Sequence, residues 1–191
     1  MLFRSDGDHR ISVLSVNGSK VEDTTQYMVG GIRPYAIDIG PKGDVAVLVN
    51  QGGGVGDIDT INVIDLTMSP PRIVDTISVG QIPEGVVISP DGSHVAVTIQ
   101  NGSARPRPHQ AFNDFGLVKV FRLNGTQLTL VAEAKVGHWG QGVAWSRDGK
   151  TLLVQSMNEK ELEIMSFDGK DLKKTGAIKV DGGPEGIRTA P

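Results

Sequence analysis

The apolar residues of this chain come in short runs, each bounded by glycine, proline, asparagine or aspartate. Val45-Ala46-Val47-Leu48-Val49, Val95-Ala96-Val97-Thr98-Ile99 and Leu152-Leu153-Val154 are three such runs. After each comes a segment that alternates apolar and polar residues, at Ile61 to Ile64, Val118 to Phe121 and Leu162 to Met165. A period of two predicts half-buried strands, and the glycine-containing turns between them predict hairpins. The turns are Pro41-Lys42-Gly43, Pro90-Asp91-Gly92 and Arg147-Asp148-Gly149, then Asn17-Gly18, Asn124-Gly125 and Asp168-Gly169. Glycine there supplies the positive φ of a tight hairpin. No stretch sustains a helical period, so the pattern predicts an all-β chain.

The strands recur as a unit. Val29, Val79, Val136 and Val180 each open a Gly/Pro-rich element, at spacings of 50, 57 and 44 residues. A period near 45 with an insertion suits one propeller blade of four antiparallel strands, here named A to D from the axis outwards. Residues 31–80, 81–137 and 138–182 each hold a whole blade, the second with a long B–C insertion at 101–116. Residues 1–30 supply a partial blade, with strand C at Ile11 to Leu14 and strand D running through Met28. Its one candidate strand B is Leu2-Phe3-Arg4-Ser5. Residues 183–191 read as a single strand A, either closing a small four-bladed ring with the N-terminal strands or belonging to a larger ring.

The repeated pattern Val-Gly-x-x-Pro-x-Gly, followed by an apolar strand, Ser-Pro-Asp-Gly and a second strand, resembles the YVTN-type β-propeller repeats. It stands most fully at Val79 to Gly92. Such repeats occur in bacterial surface-layer and periplasmic propellers and in the lactonase-like propeller superfamily. The resemblance implies a ring of about seven blades, of which three complete blades and terminal parts are present here. It also implies a periplasmic or secreted full-length protein, with a cytoplasmic one compatible as well. The open edges of such a part would be covered by further blades or by self-association.

Composition narrows the function. Nineteen basic against 22 acidic residues, a formal charge of −3, give no basic field for a nucleic-acid backbone. No apolar run reaches the length of a membrane-spanning helix. The absence of cysteine removes disulfide frameworks, thiol nucleophiles and cysteine-bound metals together.

Blade topology sorts the loops by face. The D–A and B–C connections share one face, and these are the long, varied ones, where function is expected. Strand A is innermost, so equivalent positions after the Gly/Pro element converge on the axis: Tyr35, Glu84, Gln141 and Glu185. Arg33, His138, Trp139 and Arg188 lie beside them. These oxygens can hydrogen-bond a polar ligand, and Glu84 and Glu185 are the candidate ligands if a hard cation such as Ca²⁺ is bound; otherwise no cofactor is expected. In the insertion, Arg105 and His109, with Arg107, Phe112 and Phe115, can grip an anionic or aromatic molecule or cap the neighbouring blade. No Gly-x-Ser-x-Gly nucleophile motif exists. Gly52 to Gly56 lacks the Lys-Ser/Thr of a phosphate loop.

Three functions are compatible with these residues. A non-catalytic propeller would bind a small polar molecule or a protein on the loop-bearing face. A lactonase-like hydrolase is implied by the resemblance, with Arg33, Glu84, His138, Glu185 and His109 as the polar set near the axis. A subunit of a quinoprotein-type dehydrogenase is the third, since some of these share the fold.

Overall fold

A computed structural model describes residues 2–5 and 9–189 of the chain. Ala190 and Pro191, the end of the expected last strand, lie outside them. The described residues form fifteen strands and no helix. Three four-stranded antiparallel sheets run β4-β5-β6-β7, β8-β9-β10-β11 and β12-β13-β14-β15, each in chain order, with one three-stranded sheet β1-β2-β3 before them; β6 spans Asp59–Asp65, β7 Arg72–Gly80 and β10 Gly116–Asn124. These are propeller blades. The innermost strands are β4 (Pro34–Ile39), β8 (Pro83–Ile88) and β12 (Gly140–Trp145), and β8 lies between the other two.

Two terminal expectations resolve differently. Leu2–Ser5 does form a strand, β1, paired from Leu2↔Leu14 to Ser5↔Ile11 with β2 (Arg10–Asn17). The N-terminal blade therefore holds strands B, C and D, the last being β3 (Lys20–Val29). Residues 183–189, expected as a strand A, form no strand. No strand pairs with them, and an extended segment without ladder partners is not a strand. Ile11 to Leu14 pair with β1 and β3 instead, so no four-bladed ring is closed through them among the described residues.

Period two is what stacks the blades. On β5 (Val45–Asn50), Val45, Val47 and Val49 face β8 and β9 (His94–Ile99), joining Ile88, Val95, Val97 and Ile99 in one buried cluster. The alternate residues Ala46 and Leu48 face the N-terminal blade and pack with Ile11 and Ile64. A third cluster fills the gap between the second and third blades, where Trp145, Leu152, Met165 and Phe167 meet Ala96, Val118 and Val120. Trp145 stands edge-on to Phe167 at 5.5 Å between ring centroids. Strands buried on both faces explain why β5 and β9 read as continuous apolar runs.

The corners that lead into the inner strands share one backbone device. Arg33, Ile82 and Trp139 hold φ of 54°, 55° and 53°. A positive φ at a β-branched isoleucine is strained, by about 1–2 kcal/mol. Hydrogen bonds offset that cost. Gln51 N–H donates to the Arg33 carbonyl at 3.0 Å, Gln100 N–H to Ile82 at 2.9 Å and Met157 N–H to Trp139 at 3.3 Å. Each corner is thereby clasped to the loop after strand B of its own blade, and the two sets of variable loops stand together on one face.

Candidate functional site

Each inner strand opens with an irregularity. Its register with strand B shifts between Pro34 and Ile37, between Pro83 and Val86, and between Gly140 and Val143. The bulge frees a backbone amide and turns one side chain towards the axis. Strand B supplies the compensating acceptor: Thr98 Oγ1 takes Gly85 N–H at 2.8 Å, and Gln155 Oε1 takes Gly142 N–H at 2.9 Å. The Thr98 hydroxyl also donates to the Gln141 carbonyl of the next blade. This close approach needs glycine, because a Cβ on Gly85 would lie 2.6 Å from that carbonyl oxygen.

The side chains so turned are Tyr35, Glu84 and Gln141. With Glu185 they line an open cavity of about 780 Å³ bordered by β4, β8, β12 and residues 185–189. Asp38 and Arg188 line it further along and meet across it, Arg188 Nη1 donating to Asp38 Oδ1 at 3.3 Å and Nη2 to the Ile37 carbonyl at 3.4 Å. Asp38 also accepts Ile88 N–H at 2.8 Å, which ties the first blade to the second.

Glu84 is the unusual group. It is 4% exposed, its Oε1 accepts from the Gln100 amide, and its Oε2 has no partner. Burial drives its pKa from the ordinary 4.5 to about 7; the Gln100 and Gln51 amides and the Arg33 guanidinium pull it down, and Glu185 adds to the rise. Tyr35 is half exposed, and burial, with the charges of Glu84 and Glu185, raises its phenol. The site therefore presents a carboxyl group poised between its two forms near neutral pH, beside a phenol that keeps its proton and an amide.

The other residues singled out in the sequence lie elsewhere. Arg33 does not line the cavity. Its Nη2 donates to Gln51 Oε1 at 2.9 Å, and it reaches Glu84 by charge alone. His138 is gripped by Asp114 and Glu159, and Trp139 by Ser103 through its backbone N–H at 2.9 Å. Arg105 donates to the Gly54 carbonyl at 2.5 Å and contacts His109 at 3.2 Å, so both serve the architecture of the insertion. Phe112 and Phe115 lie under Arg107 and Lys135. The insertion residues are held by partners in the neighbouring blades and none of them lines the cavity.

The sequence pattern does not single out Asp38, Gln100 or Thr98. A polar residue at the end of an apolar strand B was the available signal for Gln100. Asp59, whose spacing from Asp57 suits some calcium loops, accepts Ile82 N–H at 2.8 Å and braces a corner. Among the described residues no three His, Asp or Glu side chains gather as a metal would require. Glu84 Oε2 is buried without a hydrogen-bond partner, and Glu185 is exposed at the cavity. Among the described residues no helix is long and apolar enough to cross a membrane.

No family model matches the chain, and no curated protein does. Solved structures do. A functionally unknown protein from Desulfotomaculum acetoxidans DSM 771 is 21% identical, with a TM-score of 0.70, over 93% of this chain and 54% of that one. A Bacteroides uniformis ATCC 8492 protein with the provisional name 6-phosphogluconolactonase has a TM-score of 0.76 at 15% identity, over 94% and 51% of the two chains. The periplasmic gluconolactonase of Pseudomonas aeruginosa has a TM-score of 0.69 at 16% identity, over 96% and 55%. The chain spans about half the length of each of these structures. At such identities the likeness concerns the fold, and together with the stacked four-stranded sheets it makes this chain a run of β-propeller blades.

Proposed function

We propose that these blades belong to a lactonase-like propeller of about seven blades that opens a small polar lactone in its axial channel, with Glu84 as the acid–base group. The observation that carries this reading is the buried Glu84, with one free oxygen and a pKa of about 7, at the wall of the channel. An effective general base has a pKa near the working pH. As the carboxylate, Glu84 takes a proton from the water that attacks the lactone carbonyl. As the acid, it returns that proton to the alkoxide when the ring C–O bond breaks. The Tyr35 hydroxyl and the Gln141 amide supply donors for the oxyanion between the two steps. The gluconolactonase names among the similar structures support this assignment, and a periplasmic member among them supports a periplasmic site of action.

The test is acid release from a panel of sugar and acyl-homoserine lactones by the wild type and by Glu84→Gln. The variant should lose about a hundredfold or more of kcat/KM. Undiminished turnover in the variant would end the proposal.

Non-catalytic binding in the same channel is the second reading. It is favoured by the Glu84 contacts: an amide, not a second acid or base, is its hydrogen-bond partner. Calorimetric binding of a lactone without turnover would support it. A calcium ion shared by Glu84 and Glu185 would show as metal-dependent stabilisation in the same experiments.

A further inference from the structure

The insertion 101–116 reaches the blades on both sides of its own. Towards the first blade, Arg105 Nη2 donates to the Gly54 carbonyl at 2.5 Å. Towards the third blade, Ser103 Oγ accepts Trp139 N–H at 2.9 Å, and Asp114 Oδ1 lies 3.0 Å from His138 Nε2. The other ring nitrogen, His138 Nδ1, lies 2.5 Å from Glu159 Oε1, while Glu159 Oε2 accepts the His138 backbone N–H at 2.8 Å. An ionised carboxylate only accepts hydrogen bonds, so both ring nitrogens must be donating. A neutral imidazole has one N–H, and this contact pattern therefore requires the doubly protonated ring.

We propose that His138 is a proton-operated latch, holding the Asp114 end of the 101–116 strap to the third blade only while its ring carries both protons. Loss of one proton places a lone pair against a carboxylate oxygen. Glu159 keeps its grip, because the backbone N–H bond holds it in place and the remaining proton serves Nδ1. Asp114 is the contact that opens. The Arg105 end is a guanidinium on a carbonyl and stays fixed, as do Ser103 on Trp139 N–H and the Asn113 amide on the Asn101 carbonyl, so the loosening is confined to the Asp114 turn of the strap.

The charged surroundings favour the closed form. Glu159 first and Asp114 second hold the His138 pKa above the ordinary imidazole value, against the effect of burial. The strap also carries Arg107, 3.0 Å from Asp114, together with Arg105 and His109. The turn after β13 (Thr151–Ser156) carries Lys160 beside Glu159. β14 (Glu161–Phe167) carries Glu161 and Glu163, which pair with Lys179 and Lys174 of β15 (Leu172–Lys179). Lys135 of β11 (Gln127–Val136) lies over Phe115 at 4.0 Å. Carboxylates, amines and guanidiniums as classes titrate outside pH 5 to 9; Glu84, raised to about 7 and bonded to Gln100 at the foot of the strap, is the exception, and Asp114→Asn, which leaves Glu84 untouched, separates its effect from that of His138.

The experiment follows the His138 ring by NMR and the amides of 104–115 by hydrogen exchange, from pH 5 to 9. Wild type, Asp114→Asn, His138→Gln and His109→Gln are compared. After correction for intrinsic exchange, the wild-type strap should lose about tenfold in protection, the worth of one charge-assisted hydrogen bond, along the His138 titration itself. Asp114→Asn should lower the His138 midpoint and remove the step, and His109→Gln should keep it. Should His138→Gln fail to fold, the exposed Asp114 variant carries the test alone. Strap protection that stays constant while His138 titrates, a midpoint unmoved in Asp114→Asn, or a step abolished by His109→Gln would each overturn the latch.

Discussion

Replacing Glu84 by glutamine should make the protein more stable at neutral and alkaline pH, and by a calculable amount. The carboxyl is raised from 4.5 to about 7 on folding, chiefly by burial. The folded state therefore holds this proton at pH values where the unfolded chain has already released it. Its favourable contribution is fully present below pH 4.5 and is lost as the pH rises through about 7. At 1.36 kcal/mol per unit, the ionised group costs the folded state about 3 kcal/mol once the pH exceeds 7. Glutamine matches the protonated acid in shape, still accepts from Gln100, and never ionises. Urea unfolding of both proteins at intervals from pH 4 to 8 isolates the effect, because every other titrating group is common to the two and cancels in the difference. The stability gap should be flat below pH 4.5 and then open in favour of the variant by about 3 kcal/mol up to pH 8. A gap that stays constant across that range, or that opens in favour of the wild type, would refute the burial argument. If the variant is both more stable and inactive, Glu84 is a group that function keeps at the expense of stability.

Two further predictions concern the scaffold. Leu152→Ala removes a fully buried side chain from the cluster between the second and third blades, and should cost about 2–5 kcal/mol in urea unfolding with an unchanged far-UV spectrum. Gly85→Ala would set a methyl group 2.6 Å from the Gln141 carbonyl and 2.9 Å from Thr98 Oγ1, forcing β8 from β12. It should cost about 1–3 kcal/mol and weaken any ligand binding in the channel, read by calorimetry beside the wild type.

The blades were legible in the sequence because their determinants are local. Val45 to Val49 alternate between two buried clusters, the Asp91-Gly92 and Asp148-Gly149 turns close hairpins with residues a few positions away, and the recurrence of the Val-Gly element counts the blades. Tyr35, Glu84, Gln141 and Glu185 could be placed on one wall for the same reason, since equivalent positions of a repeat occupy equivalent places about an axis. What they do there was decided by contacts between distant residues. The high pKa of Glu84 comes from burial beside Gln100, 16 positions away, with Arg33 and Glu185 acting from other elements. The Arg188–Asp38 contact spans 150 positions. His138, which the sequence offered as a ligand-binding residue near the axis, is claimed by Asp114 and Glu159, 24 and 21 positions away. Strand periodicity and turn chemistry act over a few residues and are written in the order of the chain. Desolvation and the choice of charge partner depend on which side chains the stacked blades bring together, and that arrangement exists only in three dimensions.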